Sequence, residues 1–163
     1  MHRPVYLSLG SNLGDRKKLL STAIKLVEEN CGQVESESSI YRSKAWGFEA
    51  QTDFLNQVIE INTGQAPEQL LKEILAIEEA LGRVRGSVRW QERTIDIDIL
   101  FFMGMIIDTS QLTIPHPRIA VRNFTLVPLL EIAPHFVHPV MGMTIEELYL
   151  QCTDPLEVQM IEC

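Results

Sequence analysis

Asp96 and Asp98 stand two residues apart in the run Arg93-Thr94-Ile95-Asp96-Ile97-Asp98-Ile99-Leu100. Side chains of a strand alternate between faces, so Ile95, Ile97 and Ile99 would enter a core while both carboxylates share the other face, their Cα atoms about 6 to 7 Å apart. Mg2+ is held by one or two carboxylates together with phosphate oxygens and retained waters, and a rigid D-x-D strand suits a half-cage for a metal-bound polyphosphate. The spacing alone is served equally well by a half-exposed strand with an acidic polar face.

The neighbouring cations shift that balance. Of nine arginines, Arg83, Arg85, Arg89, Arg93, Arg118 and Arg122 lie between residues 83 and 122, and no lysine follows Lys72. Arginine presents a planar, permanently charged fork that matches phosphate bidentately, so this choice points to oxyanion recognition. Taken alone, the cluster is also what a solvated loop paired with glutamates would show. With the D-x-D strand it favours a phosphate site.

Smaller motifs carry less. Leu9-Gly10-Ser11-Asn12-Leu13-Gly14-Asp15 joins a strand to a helix; no Lys-Ser or Lys-Thr follows Gly14, so a turn with a helix N-cap is the better reading than a phosphate loop. Pro115-His116-Pro117 fixes the backbone on both sides of one histidine, useful for meeting a ligand and equally usual in a turn. His135 and His138 lack a nearby third ligand and read as structural or surface residues. Phe54 and Phe124 read by themselves as core aromatics.

The elements that must position these groups follow from periodicity. Strands are expected over 4–10, 33–42, 53–62 and 94–102, helices over 15–30 and 67–81, and short helices near 122–132 and 144–151, with loops at 43–52 and 82–93. Leu19, Leu20, Ala23, Ile24 and Val27 form the apolar stripe of the first helix. The second starts at Pro67, buries Leu70, Leu71, Ile74, Ile77 and Leu81, and stops at Gly82. Thr144 and Glu147 make a capping-box pattern. The β-α-β-β-α-β order implies an α+β ferredoxin-like sandwich, an antiparallel sheet with two helices on one face and the other face free for a site.

With 163 residues, 45% hydrophobic and 22% charged, residues 1–163 fit a single domain. A formal net charge of -8 argues against nucleic acid or an anionic membrane as partner. Cys31, Cys152 and Cys163 are odd in number and widely spaced, indicating neither a disulfide framework nor a zinc site and suggesting a cytoplasmic protein.

Taken together, Gly10-Ser11-Asn12, Tyr41-Arg42, Phe54-Leu55-Asn56, Gly82-Arg83-Val84-Arg85, Arg89-Trp90 through Asp98, Pro115-His116, and Arg122 with Phe124 give nearly the whole chain a pattern that resembles the 6-hydroxymethyl-7,8-dihydropterin pyrophosphokinases of folate synthesis. That resemblance implies transfer of pyrophosphate from ATP to the hydroxymethyl oxygen of the dihydropterin, releasing AMP, with two Mg2+ ions held by Asp96 and Asp98. It assigns Arg83 and Arg93 to the transferring phosphates and Arg85, Arg89, Trp90, Ile99, His116 and Arg122 to ATP. The pterin would stack between Phe54 and Phe124, with Ser43, Asn56 and Asp96 also in its site. The family expectation is a monomer. The chain departs from the common pattern at Gln91-Glu92, where Gly-Pro usually precedes the arginine, at Lys44-Ala45-Trp46, and at Phe54, where Tyr is frequent. A competing reading, an RNA-recognition module of the same fold, lacks the required aromatic pattern; an acylphosphatase-like hydrolase leaves the D-x-D pair unexplained.

Overall fold

The structure is a computed structural model, and it describes residues 3–44, 53–82 and 94–161. The elements run β1 (Val5–Ser11), α1 (Arg16–Asn30), β2 (Gln33–Glu37), β3 (Tyr41–Ser43), β4 (Phe54–Asn62), α2 (Pro67–Ala80), β5 (Asp96–Phe102), β6 (Ile107–Asp108), β7 (Thr113–Ile114), a short 3-10 turn (Ile119–Val121), α3 (Asn123–Ile132), α4 (Ile145–Gln151) and β8 (Val158–Met160). The main sheet is antiparallel, ordered β5-β1-β4-β3-β8, with β2 also pairing to β4.

Helix α1 starts where Asp15 accepts the Lys18 N–H at 3.2 Å, a side-chain cap for an otherwise orphaned donor. Helix α2 begins with Pro67 and closes before Gly82, whose φ of 96° is a left-handed stop. Leu20, Ala23, Ile24 and Val27 of α1 and Leu70, Ile74 and Ile77 of α2 bury against Val5, Leu7, Leu9, Leu55, Ile59, Ile61, Ile95, Ile97 and Ile99 of the sheet. This first core is the one the periodicity implies.

Two expectations about the sheet change. The strand expected over 33–42 is two strands, because Ser38 interrupts the ladder: its Oγ accepts the Val58 N–H at 2.9 Å and donates to the Ser39 carbonyl at 2.7 Å. A serine hydroxyl thus replaces a backbone partner, and pairing resumes only at Tyr41 opposite Asn56. Nor is the second face of the sheet free along its whole length. Helices α3 and α4 cover part of it, enclosing a second core of Tyr6, Val58, Leu100, Phe101, Ile119, Leu126, Leu129, Ile145 and Leu148.

The second core is aromatic at its centre. The rings of Phe101 and Phe136 lie 4.7 Å apart, and Tyr6 meets Phe136 edge-on at 5.2 Å. His138 belongs to this packing, edge-on to Phe101 at 5.4 Å, and its Nδ1 accepts the N–H groups of Val140 and Met141 at 3.2 and 3.1 Å. It is a structural histidine, as the sequence suggests. A shift of register between Tyr6 and Leu7 lets the strand serve both cores: Ile99 pairs with Leu7 but Phe101 with Tyr6, so Leu100 and Phe101 both turn to the second face. The capping box at Thr144 and Glu147 forms as expected.

Candidate functional site

Among the described residues, the end of the second face away from α3 and α4 carries the polar residues. Ile97 and Ile99 are almost fully buried in the first core, while Asp96 and Asp98 are half-buried on the opposite side. Gly10 pairs with Asp96 on one side and Asn56 on the other, and Ser8 lies between Asp98 and Val58. Along β1, the second face therefore runs from Tyr6 in the aromatic core through Ser8 to Gly10, from large to absent side chains.

Gly10 has a defined reason to be glycine. A Cβ there would stand 3.1 Å from Asn56 Oδ1 and 3.7 Å from Phe54 Cδ1, so its absence leaves room beside both. Ser11 extends the strand and its hydroxyl donates to the Thr94 carbonyl, tying the end of β1 to the segment entering β5. The glycine-rich segment is thus strand and helix cap. Asn56 is buried and its Nδ2 donates to Ser43 Oγ at 2.7 Å, which orients its amide and aims Oδ1 towards Gly10. Phe54 is half-buried two residues earlier on β4.

The other wall comes from the segment leading into α3. His116 is held to β5 through its N–H, which donates to the Leu100 carbonyl at 3.0 Å, and its Nδ1 accepts the Arg118 N–H at 3.2 Å. The imidazole proton is accordingly assigned to Nε2. Burial, aided by the charges of Arg122 and Arg118 and opposed by Asp96, holds this histidine down at about 4, so the ring is neutral at physiological pH. Arg122 is pushed down by burial and Arg118, and pulled back by Asp98, Asp96 and Asp154. These couplings bring Asp96, Asp98, His116 and Arg122 into one electrostatic cluster. The Arg122 guanidinium lies 5.3 Å from the centre of the Phe124 ring, and α3, which carries Phe124 in its first turn, packs on β3 and β4.

Glu78 is a residue that sequence reasoning missed. It faces inward from α2, almost fully buried, and accepts the N–H of Ile97 at 2.8 Å, the residue between the two aspartates. Its neighbour Glu79 is on the exposed side, so only the register of the helix, with Ile74 and Ile77 inward, separates the two.

The structure thus brings together Ser43, Phe54, Asn56, Asp96, Asp98, His116, Arg122 and Phe124 around one end of the sheet. Ile99 points its side chain into the first core, leaving only its main chain, on the outermost strand, for a ligand. Arg83, Arg85, Arg89, Trp90, Arg93, Trp46 and the Gln91-Glu92 pair lie outside the described residues. Among the described residues no group of three or more His, Cys, Asp or Glu could hold a metal. Two carboxylate oxygen donors on a strand do fit a hard ion that keeps water and phosphate ligands, and do not fit a three- or four-ligand zinc cage.

Comparison with known proteins bears on the family and the fold. Residues 6–134 match the family model for 7,8-dihydro-6-hydroxymethylpterin-pyrophosphokinase. The chain is 43% identical over 143 residues to the 2-amino-4-hydroxy-6-hydroxymethyldihydropteridine pyrophosphokinase of Aquifex aeolicus, covering 88% of each. It is 45% identical over 133 residues to that of Bacillus subtilis, covering 81% of this chain and 79% of the relative. The folic acid synthesis protein fol1 of Pneumocystis carinii is 43% identical over 150 residues, but the chain spans only 20% of it. Among solved structures, an HPPK-DHPS in complex with substrates superposes with a TM-score of 0.71 at 18% identity over 90% of this chain, and wild-type Plasmodium falciparum HPPK-DHPS with pterin and p-hydroxybenzoate gives 0.73 at 20% over 91%. At those identities the likeness is one of fold, and the chain spans less than half of either structure, 43% and 41%.

Proposed function

The chain belongs to the 7,8-dihydro-6-hydroxymethylpterin-pyrophosphokinase family and is a pyrophosphokinase of folate synthesis, and we propose that the cluster at the open end of its sheet is where the transfer takes place. The reaction moves a pyrophosphoryl group from ATP to the hydroxymethyl oxygen of hydroxymethyldihydropterin. The new bond joins that oxygen to the β-phosphorus, the α,β-bridge breaks, the hydroxyl gives up its proton, and AMP leaves.

The observation that carries the assignment is Asp96 and Asp98 on one face of β5, with Gly10 and then Asn56 beside Asp96 in the sheet and Arg122 near enough to feel both carboxylates. The two aspartates would hold Mg2+, two ions by family resemblance, and bound metal would offset the charge that develops on the phosphates. Neutral His116 would donate its Nε2–H to a phosphate oxygen, and Arg122 would supply permanent charge beside it. Both act by preorganisation, since their positions are set by β5 and α3 before any ligand arrives. Arg83 and Arg93 would grip the transferring phosphates, with Arg85, Arg89 and Trp90 on the nucleotide and the Ile99 main chain beside it.

The roles on the pterin side come from the family resemblance, and the geometry at Asn56 and Gly10 is compatible with them. Phe54 and Phe124 would stack the flat bicycle, each contact adding about 0.5 to 1.5 kcal/mol beyond area burial. Ser43 takes one of the two Nδ2 hydrogens of Asn56 and fixes the amide, so Asn56 Oδ1 and the remaining N–H would meet the pterin edge. Gly10 keeps that oxygen accessible. Asp96, whose strand neighbour is Gly10, would border both substrates. We further propose that residues 1–163 act as one pyrophosphokinase domain, monomeric and cytoplasmic; the three widely spaced cysteines support a reducing compartment, and no helix among the described residues is long and apolar enough to cross a membrane.

The test is to incubate the purified protein with Mg2+, ATP and 6-hydroxymethyl-7,8-dihydropterin and to separate AMP from ADP. Pterin-dependent AMP is expected, and ADP as the product would overturn the chemistry. Repeating the assay with Asp96→Asn and Asp98→Asn tests the placement of the site, because full activity in both would move it elsewhere.

A further inference from the structure

Helix α3 carries Phe124 in its first turn, with Arg122 just before it, yet no side chain from its own N-cap position bonds that turn. The partner comes from 31 residues downstream. Asp154 Oδ2 accepts the N–H of Asn123 at 3.0 Å, Asn123 Nδ2 donates to the Asp154 carbonyl at 3.0 Å, and Asp154 Oδ1 accepts the Leu156 N–H at 3.0 Å. The same carboxylate is among those acting on Arg122. A negative group at this end also matches the helix dipole.

From Asp154 the tail continues into β8, which pairs Val158 with Ser43, Gln159 with Arg42 and Met160 with Tyr41. Arg42 donates to Gln159 Oε1 at 3.0 Å, and Ile161 N–H donates to the Ile40 carbonyl at 3.0 Å. The far end of α3 is tied to the same stretch of chain: Glu131 accepts from the N–H and hydroxyl of Ser39 and from the Tyr41 hydroxyl. Hence the tail joins the element carrying Phe124 to the element whose Ser43 orients Asn56.

Asn123 Oδ1 is buried and accepts no hydrogen bond among the described residues. The family model ends at residue 134, before the tail begins.

We propose that Asp154 is a positioning residue for substrate binding, and that the tail from Asp154 to Met160 is a strap fixing Arg122 and Phe124 of the α3 wall against Ser43 and Asn56 of the sheet. The proposal rests on the assignment of Phe124 and Asn56 to the pterin. It places a determinant of pterin affinity in a segment that touches neither substrate.

The experiment measures the affinity of 6-hydroxymethylpterin, with a non-hydrolysable ATP analogue and Mg2+ present, for wild type, Asp154→Ala, Asp154→Asn, Thr144→Ala and Phe124→Ala, alongside each melting temperature. Asp154→Ala should weaken pterin binding about tenfold, the size expected for losing a charge-assisted cap. Asp154→Asn keeps one of the two accepting oxygens and should lie between wild type and Asp154→Ala. Thr144→Ala removes the cap of α4, away from the site, and should lower the melting temperature with pterin affinity unchanged. Wild-type affinity in Asp154→Ala, or equal weakening in Thr144→Ala, would overturn the strap. Unchanged affinity in Phe124→Ala would instead refute the pterin site itself, and the strap with it.

Discussion

The two faces of the central sheet are built on opposite terms. The face under α1 and α2 is a continuous aliphatic layer in which Leu7, Leu9, Ile59, Ile61 and Ile95 are completely buried. The other face changes character along its length, from the ring cluster of Tyr6, Phe101 and Phe136 under α3 and α4 to Gly10, Asn56, Asp96 and Asp98 at the open end. One face supplies stability without chemistry, and it makes the strand rigid enough for the other to hold two like charges in register. Stability and activity should therefore separate by face, and substitutions on each side show whether they do.

The largest effect is expected on the open face. Asp98→Asn should lower kcat roughly a hundred- to a thousandfold while the melting temperature stays near wild type, as steady-state AMP release and a thermal melt would show. A large loss of stability with near-normal turnover would dissolve the distinction between the faces. Next, Ile59→Ala empties space in the aliphatic layer and should cost about 2 to 5 kcal/mol in urea denaturation with kcat retained where the protein is still folded. A parallel fall in kcat would mean that the layer is not merely a support.

Gly10→Ala probes the boundary between the two regimes. Its Cβ would meet Asn56 Oδ1 at 3.1 Å, so pterin affinity should fall about fivefold, equivalent to roughly 1 kcal/mol, with little change in melting temperature. Titration showing wild-type affinity would remove Asn56 from the pterin site. A further effect concerns acid. His116 titrates near 4 when folded and near 6.5 when free, so between those values the unfolded chain binds more protons. Stability should decline as pH falls through that window, and His116→Gln should flatten the decline in melts from pH 7 to pH 4.5. An unchanged slope would assign the acid sensitivity to other groups.

The aliphatic face was readable because its signals are local. The 3.6-residue stripe of α1, Pro67 and Gly82 at the two ends of α2, and the alternation of Ile95, Asp96, Ile97 and Asp98 each report on the residues that carry them. What escaped depends on distant partners. The break at Ser38 needs Val58 opposite it, and the three-residue β8 forms only because β3 offers an edge. Helix α3 is apolar almost all round and contains Pro128, so no stripe announced that it would close half of the second face. In the sequence Glu78 is indistinguishable from its neighbour Glu79, and its role appears only when Ile97 is brought against it. Within the site, residue types were legible and their placement was not: nothing local to Gly10 reveals that it faces Asn56 and Asp96 together.

The single extra residue in β5 opposite the Tyr6–Leu7 step resets the strand's alternation partway along. Upstream of it, alternate residues reach the second face as carboxylates; downstream, the same face receives the Phe101 ring, which joins Tyr6 and Phe136 there. Deleting one residue between Asp98 and Phe101 would leave the composition almost untouched, yet it would turn either the acids or the rings towards the aliphatic layer. The spacing between those two groups is thus a separate constraint on the chain, one that an exchange of one amino acid for another cannot expose and a one-residue deletion can.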